Sequence, residues 1–194
     1  DSQVTVIETY EGQGGASTLT VPVTELEAGA GAVVEHLRIQ HESASAVHLG
    51  TLVIECGRGA QVASHSLALG AGLARQEMEA ALAGEGCEVV LNGLSLAGEG
   101  QHMDHHLRGD HARPHTTSHE FFNGVYGGNA RGVFHGRILV RPGAQKTDAK
   151  QTNRNVLLSD QAMVNSKPQL EIHADDVRCT HGATTGPLSA ESLF

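Results

Sequence analysis

Residues 84–96 read GEGCEVVLNGLSL, and residues 98–109 open the same way, GEGQHMDHHLRG. The unit is a corner of two glycines, one further residue, then about ten positions rich in strand formers. It decides the fold because it recurs in both directions. Upstream it starts at Gly29 (GAGAVVEHLRI), Ser43 (SASAVHLGTLVI), Gly57 (GRGAQVASHSLAL) and Gly70 (GAGLARQEMEAAL). Downstream it starts at Ala112 (ARPHTTSHEFF), Gly127 (GGNARGVFHGRILV) and Arg141 (RPGAQKTDAKQ). The spacings are 14, 14, 13, 14, 14, 14, 15 and 14 residues. Position one is Gly or Ser in seven of nine units, and so is position three. A fixed period with turn residues at a fixed phase is the mark of stacked supersecondary units. Glycine at a corner supplies positive φ and lets backbones approach closely. A β-branched residue at Gly84 or Gly98 is therefore expected to cost stability, whereas a change at Glu85 is not.

Between the corners the segments alternate as strands do, for example VHLGTL at 47–52, VVLNGL at 89–94 and VFHGRILV at 133–140. Residues 73–82 (LARQEMEAAL) have helix-forming composition, but their place in the repeat predicts a strand. No helical intervals separate the strands, so a βαβ sheet is excluded. Two architectures fit: a parallel β-helix with two units per coil, or an antiparallel sandwich such as a cupin. The near-constant period favours the β-helix, because hairpin folds vary their loops more. Such a stack leaves a sheet edge at each end, which a cap, charge or a partner must manage.

Composition agrees with thin aliphatic layers: among 194 residues there is no Trp, and aromatics make up 3%. The length fits one domain. The formal net charge of −9 argues against nucleic acid and anionic membrane as partners. No apolar run approaches the roughly 18 residues that would span a bilayer. Three cysteines, Cys56, Cys87 and Cys179, make a poor disulfide framework and fit a reducing compartment, the cytoplasm. Cys56 and Cys87 have no second ligand near them in sequence and read as core. Ser189 is a candidate helix N-cap with Glu191 in its first turn. The expected division is a β-helix core over 1–188 and the start of a truncated helical region at 189–194.

Two constellations carry metal-ligand chemistry. Six of the thirteen histidines fall within residues 102–119 (HMDHHLRGDHARPHTTSH). On a strand His102, Asp104 and His106 share a face and His105 takes the other. Imidazole with carboxylate suits iron, zinc or manganese. One function that follows is a cupin-like metal-dependent enzyme using this cluster; the plainer alternative is polar stacking on a solvated face. The second constellation is Cys179-Thr180-His181, whose outer residues share a face on a strand and could hold iron, zinc or an iron–sulfur cluster. The plainer alternative is a buried Cys beside a surface His. There is no GxxxxGK[ST] and no GxSxG, so neither a P-loop nor a nucleophile elbow is present.

Four strings in the second half carry a family resemblance: Pro114-His115, ARGVFHGRI at 130–138, AQKTDAKQTNRNVLLS at 144–159 and KPQLEIHADDVRCTHGATTG at 167–186. From about His102 to Phe194 the chain resembles the SufB/SufD family of iron–sulfur cluster assembly proteins, and the last string is closer to the SufD type. The resemblance implies a right-handed parallel β-helix flanked by helical regions. It implies a non-enzymatic scaffold subunit that pairs with a SufB-like subunit through the β-helices. Both would attach to a SufC-like ATPase through helices after the core. It assigns His181 to the subunit interface, opposite a cysteine of the SufB-like partner, with Cys179 as a nearby candidate. Iron or an Fe–S cluster would be held there transiently, with none tightly bound in the isolated core. Alone, the core is expected to form a homodimer through its uncovered strands.

Overall fold

In a computed structural model, which describes residues 2–12 and 17–187, every regular element is a strand. In chain order they are β1 (Gln3–Glu11), β2 (Leu19–Thr20), β3 (Val23–Ala28), β4 (Val33–His41), β5 (Val47–Cys56), β6 (Gln61–Ala68) and β7 (Leu73–Leu82). There follow β8 (Glu88–Ala97), β9 (His102–His111), β10 (Thr117–Tyr126), β11 (Arg131–Val140), β12 (Asp148–Leu157), β13 (Met163–Ile172) and β14 (Arg178–Pro187). The helix-like composition of residues 73–82 is overridden: they form β7, as their place in the repeat predicts.

Strands alternate between two sheets. One runs β1-β4-β6-β8-β10-β12-β14; the other runs β13-β11-β9-β7-β5, with β2 and β3 both pairing β5. Every pairing is parallel, so two sequence units make one coil. Val33 lies opposite Gln61, and Gln61 opposite Glu88. This is a β-solenoid of about six turns. The parallel pairing removes the antiparallel sandwich, and with it the cupin barrel on which the alternative enzyme reading depended.

Inward positions are set by the two-residue strand period. In β8, β10 and β11 buried and part-exposed positions alternate along almost the whole strand. The middle of the stack is apolar: Leu52, Ile54, Met78, Leu82, Leu91, Leu107, Phe122 and Phe134 pack between the sheets. Phe122 lies 5.5 Å from Phe134, centroid to centroid. Polar side chains are buried throughout the stack, among them Gln76, Ser95, His105 and His111 in its middle. His36, Arg38, Gln40 and His48 are buried in the early coils, and Glu120, Gln151, Asn153 and Asn155 in the late ones.

The corners before β4, β6, β8, β10 and β12 form a ladder of their own. Gly31, Gly59, Gly86, His115 and Lys146 all have φ between 59° and 71°. Each donates its backbone N–H to a carbonyl in the next coil: Arg58, Glu85, Pro114, Gln145 and Asp176, at 2.6–3.2 Å. Left-handed backbone is nearly free for glycine and costly for other residues. The last two rungs therefore carry strain that the first three do not.

This corrects the expectation for the glycines at position one. Gly84 lies outside the left-handed region, but a Cβ there would strike the backbone of Gly57 and Arg58 in the preceding coil. Gly98 has neither constraint: a Cβ there would meet only Gln101 Oε1, at 3.6 Å. The turn falls at position three in Gly31, Gly59 and Gly86, the close approach at position one in Gly57, Gly70 and Gly84, and Gly98 is needed for neither. The proposed helix start at Ser189 lies outside the described residues.

Candidate functional site

β14 is the last strand of its sheet among the described residues, paired with β12 along one side only. Its register puts Cys179 opposite Ala149 and His181 opposite Gln151. Ala149 and Gln151 point inward, so Cys179 and His181 continue two inward columns of the solenoid. The strand is seated by its leading turn. Lys146 N–H donates to Asp176 O at 2.6 Å, Asp176 N–H to Gln145 Oε1 at 2.8 Å, and Arg178 N–H to Thr147 O at 2.8 Å. Lys146 Nζ pairs with the Asp176 carboxylate.

The two candidate ligands differ in setting. Cys179 is half-buried against Ile138, Val140, Ala144, Ala149 and Ala174. Burial pushes its thiol up, with the Asp148 charge adding to it and an Ala149 backbone N–H working the other way. Cys179 therefore stays a thiol at neutral pH unless a cation replaces its proton. His181 is exposed. The spacing argument holds in that both lie on one strand face, but neither has a protein ligand beside it. Among the described residues, no three His, Cys, Asp or Glu side chains stand close enough to hold one ion. A complete ligand set at β14 needs donors from outside the described residues.

The 102–119 histidines are dispersed by the fold. His102, Asp104 and His106 share the outer face of β9, as the strand alternation predicts. There Asp104 is taken up by Arg75 Nη1 at 2.7 Å and His106 Nε2 at 2.9 Å. His105 points inward, 2.8 Å from Ser95 Oγ and against Phe122, and burial pushes it down to about 4. His111 is wholly buried between the hydroxyls of Thr116 and Ser118, at 2.8 and 2.9 Å, and burial pushes it likewise to about 4. Thr116 spends its own proton on Arg113 O or on Thr147, so its oxygen accepts from His111 Nδ1–H. His115 occupies the strained corner, and His119 faces outward on β10.

Cys56 and Cys87 are both fully buried, as core cysteines should be. Their meeting is not legible in the sequence. The fold places the two thiols in one core cluster, with Cys56 Sγ donating to Glu88 O at 4.0 Å; the neighbouring Cys87 thiol and burial hold Cys56 in its protonated form. Two further residues belong to no sequence motif, Glu120 and Gln151, which occupy the His181 column two coils and one coil earlier. The signal was present as a recurrence of 31 and 30 residues between Glu120, Gln151 and His181. It is legible only once the coil length is known.

The family model described as the SufBD core domain of the SUF system for FeS cluster assembly matches residues 1–194. The chain belongs to the SufBD family. An iron–sulfur cluster assembly SufBD family protein of Synechocystis sp. is 32% identical over 205 residues, covering 100% of this chain and 45% of the relative. The Escherichia coli iron–sulfur cluster assembly protein SufD is 31% identical over 193 residues, covering 100% of this chain and 46% of that protein. A SufBD family protein of Mycobacterium tuberculosis is 33% identical over 156 residues, covering 76% and 39%. This SufBD core thus spans less than half the length of the first two relatives. Iron–sulfur cluster assembly is the work of its family. No helix among the described residues is long and apolar enough to cross a membrane.

Proposed function

We propose that this chain is the core of a scaffold subunit without catalytic activity of its own. It pairs through the β14 end with a SufB-like subunit, and the two hold iron or a nascent cluster between them. His181 supplies one imidazole ligand, Cys179 is an auxiliary thiol, and the principal thiolate comes from the partner. The observation that carries this reading is the position of His181: exposed, on an inward column of the last described strand, beside an edge with no neighbour among the described residues. An open strand edge is a template for another strand, and an imidazole there meets whatever docks. Iron and sulfide are cargo, so a site with too few ligands to retain them suits transfer.

The SufC-like ATPase would act through the longer protein outside this core. The three free thiols suit a reducing compartment, and the cytoplasm is the one we propose. The test uses the full-length protein co-expressed with SufB- and SufC-like subunits, followed by anaerobic reconstitution with iron and sulfide. His181→Ala should leave the complex assembled yet abolish cluster formation and complementation in cells. Cys179→Ala should do less, and His105→Ala should affect stability before function. Normal complementation by His181→Ala would overturn the reading. Loss of activity confined to His102, Asp104 or His106 variants would move the site to β9.

A further inference from the structure

The inward column that ends at His181 passes, in the two coils before it, through two buried polar residues. Glu120 on β10 is 3% exposed and Gln151 on β12 is 1% exposed. Gln151 Nε2 donates to Glu120 Oε2 at 2.5 Å. Gln151 Oε1 and Glu120 Oε1 are both buried and have no hydrogen-bond partner among the described residues. A buried carbonyl oxygen without a donor is costly, so its retention calls for a reason. Space for the pair is provided from the opposite sheet. A Cβ at Gly109 would press on Glu120 Oε1 at 3.1 Å, and one at Gly136 would collide with the Gln151 amide. The pocket is thus built around these two side chains.

Glu120 Oε2 accepts from the NH₂ of Gln151, which turns the amide oxygen away from that carboxyl oxygen; Gln151 Oε1 and Glu120 Oε1 are the two oxygens of the pair without a donor, and the first lies on the strand next to β14. Its neighbour along the column, one strand further, is His181. Adjacent strands lie about 4.8 Å apart, within reach of a side-chain hydrogen bond. A metal-binding imidazole commonly donates its second ring N–H to a carbonyl or carboxylate, which fixes its tautomer and orientation.

We infer that Gln151, held by Glu120, is the positioning residue for His181: the exposed imidazole turns onto the unpaired Oε1, which then accepts one ring N–H and leaves the other nitrogen's lone pair facing outward to the docked partner. The inference rests on the reading of His181 as the ligand. It adds a chain Glu120–Gln151–His181 that runs from the interior to the open end. Neither Glu120 nor Gln151 touches the cargo.

The experiment uses the full-length protein labelled with ¹⁵N-histidine, reading the His181 ring tautomer by long-range ¹H–¹⁵N NMR alongside complementation. Removing Gln151 alone would leave the Glu120 carboxyl buried and unpaired, so the key variant is the double change Glu120→Leu with Gln151→Leu. Replacing both partners by apolar groups can be nearly neutral for folding. The double variant should melt like the parent, show a changed His181 tautomer ratio, and complement at least tenfold less well. Glu120→Gln keeps an acceptor for the Gln151 amide and should retain both tautomer and activity. If His181→Ala is inactive while the double variant keeps the parental tautomer and activity, the positioning role is overturned and the ligand role stands. If His181→Ala is itself active, the ligand reading fails instead.

Discussion

At the scale of single residues, protons and left-handed corners make the sharpest claims. His111 is neutral in the fold because burial holds it near 4, below the ordinary 6.5. The native state therefore binds fewer protons than the unfolded chain between those values. Stability is complete above about pH 6.5 and is lost as pH falls towards 4, by on the order of 3 kcal/mol for this group. His111→Gln should flatten that slope in denaturant titrations run from pH 7 to 4. Glu120 has the opposite sign. Burial raises it to about 7, so the folded state holds a proton that the unfolded chain releases, and stability falls as pH rises from about 4.5 through 7. Glu120→Gln should raise the melting temperature at pH 8 and leave it unchanged at pH 4. The corners give a third test. Gly86→Val forces a β-branched residue to φ near 71° and should cost on the order of 1–2 kcal/mol. Gly98→Val should match the parent in the same melts, because neither φ nor space opposes it. Sequence alone did not separate these two glycines: Gly86 closes one GEG and Gly98 opens the next, and only the coordinates show that the first carries the left-handed turn while the second meets no constraint.

At the scale of elements, period was more informative than propensity. β7 has helix-forming composition and is a strand because its flanking corners and its two ladder partners, β5 and β9, fix it there. The candidate site was legible as far as strand alternation reaches: Cys179 and His181 do share a face, as do His102, Asp104 and His106. What stayed hidden needs coil length, because the Cys56–Cys87 contact and the Glu120–Gln151 pair each join residues 31 apart. β14 supports a parity experiment. Backbone N–H groups of successive residues in a strand point to opposite sides. Of Gly182→Pro and Ala183→Pro, one removes a bond to β12 and should destabilise the last coil. The other removes a donor on the free side and should spare stability while weakening self-association. Light scattering of the core at rising concentration, for parent and both variants, reads this out. A strict monomer in the parent would count against pairing through that edge.

At the scale of the whole molecule, a stack in which each coil touches only its neighbours should not be uniformly firm. Amide exchange is expected to be slowest in β7 to β11, where Leu82, Met103, Phe122 and Ile138 are wholly covered. It should quicken towards β1 and β14, whose strands expose most of their length. Equal protection throughout would mean that the coils open as one unit. The constant in-step pairing also makes the stack a graduated ruler. From β4 to β14 there are five steps in one sheet, each about 4.8 Å, or about 24 Å along the axis. Extra residues have been taken up sideways: Val47 faces Leu73 across 26 residues, whereas Arg131 faces Met163 across 32, with no change of step. Insertions in a corner therefore alter the outline at one level and leave His181 at its graduation. Only the gain or loss of a complete coil can shift it, and then by one whole division of the scale.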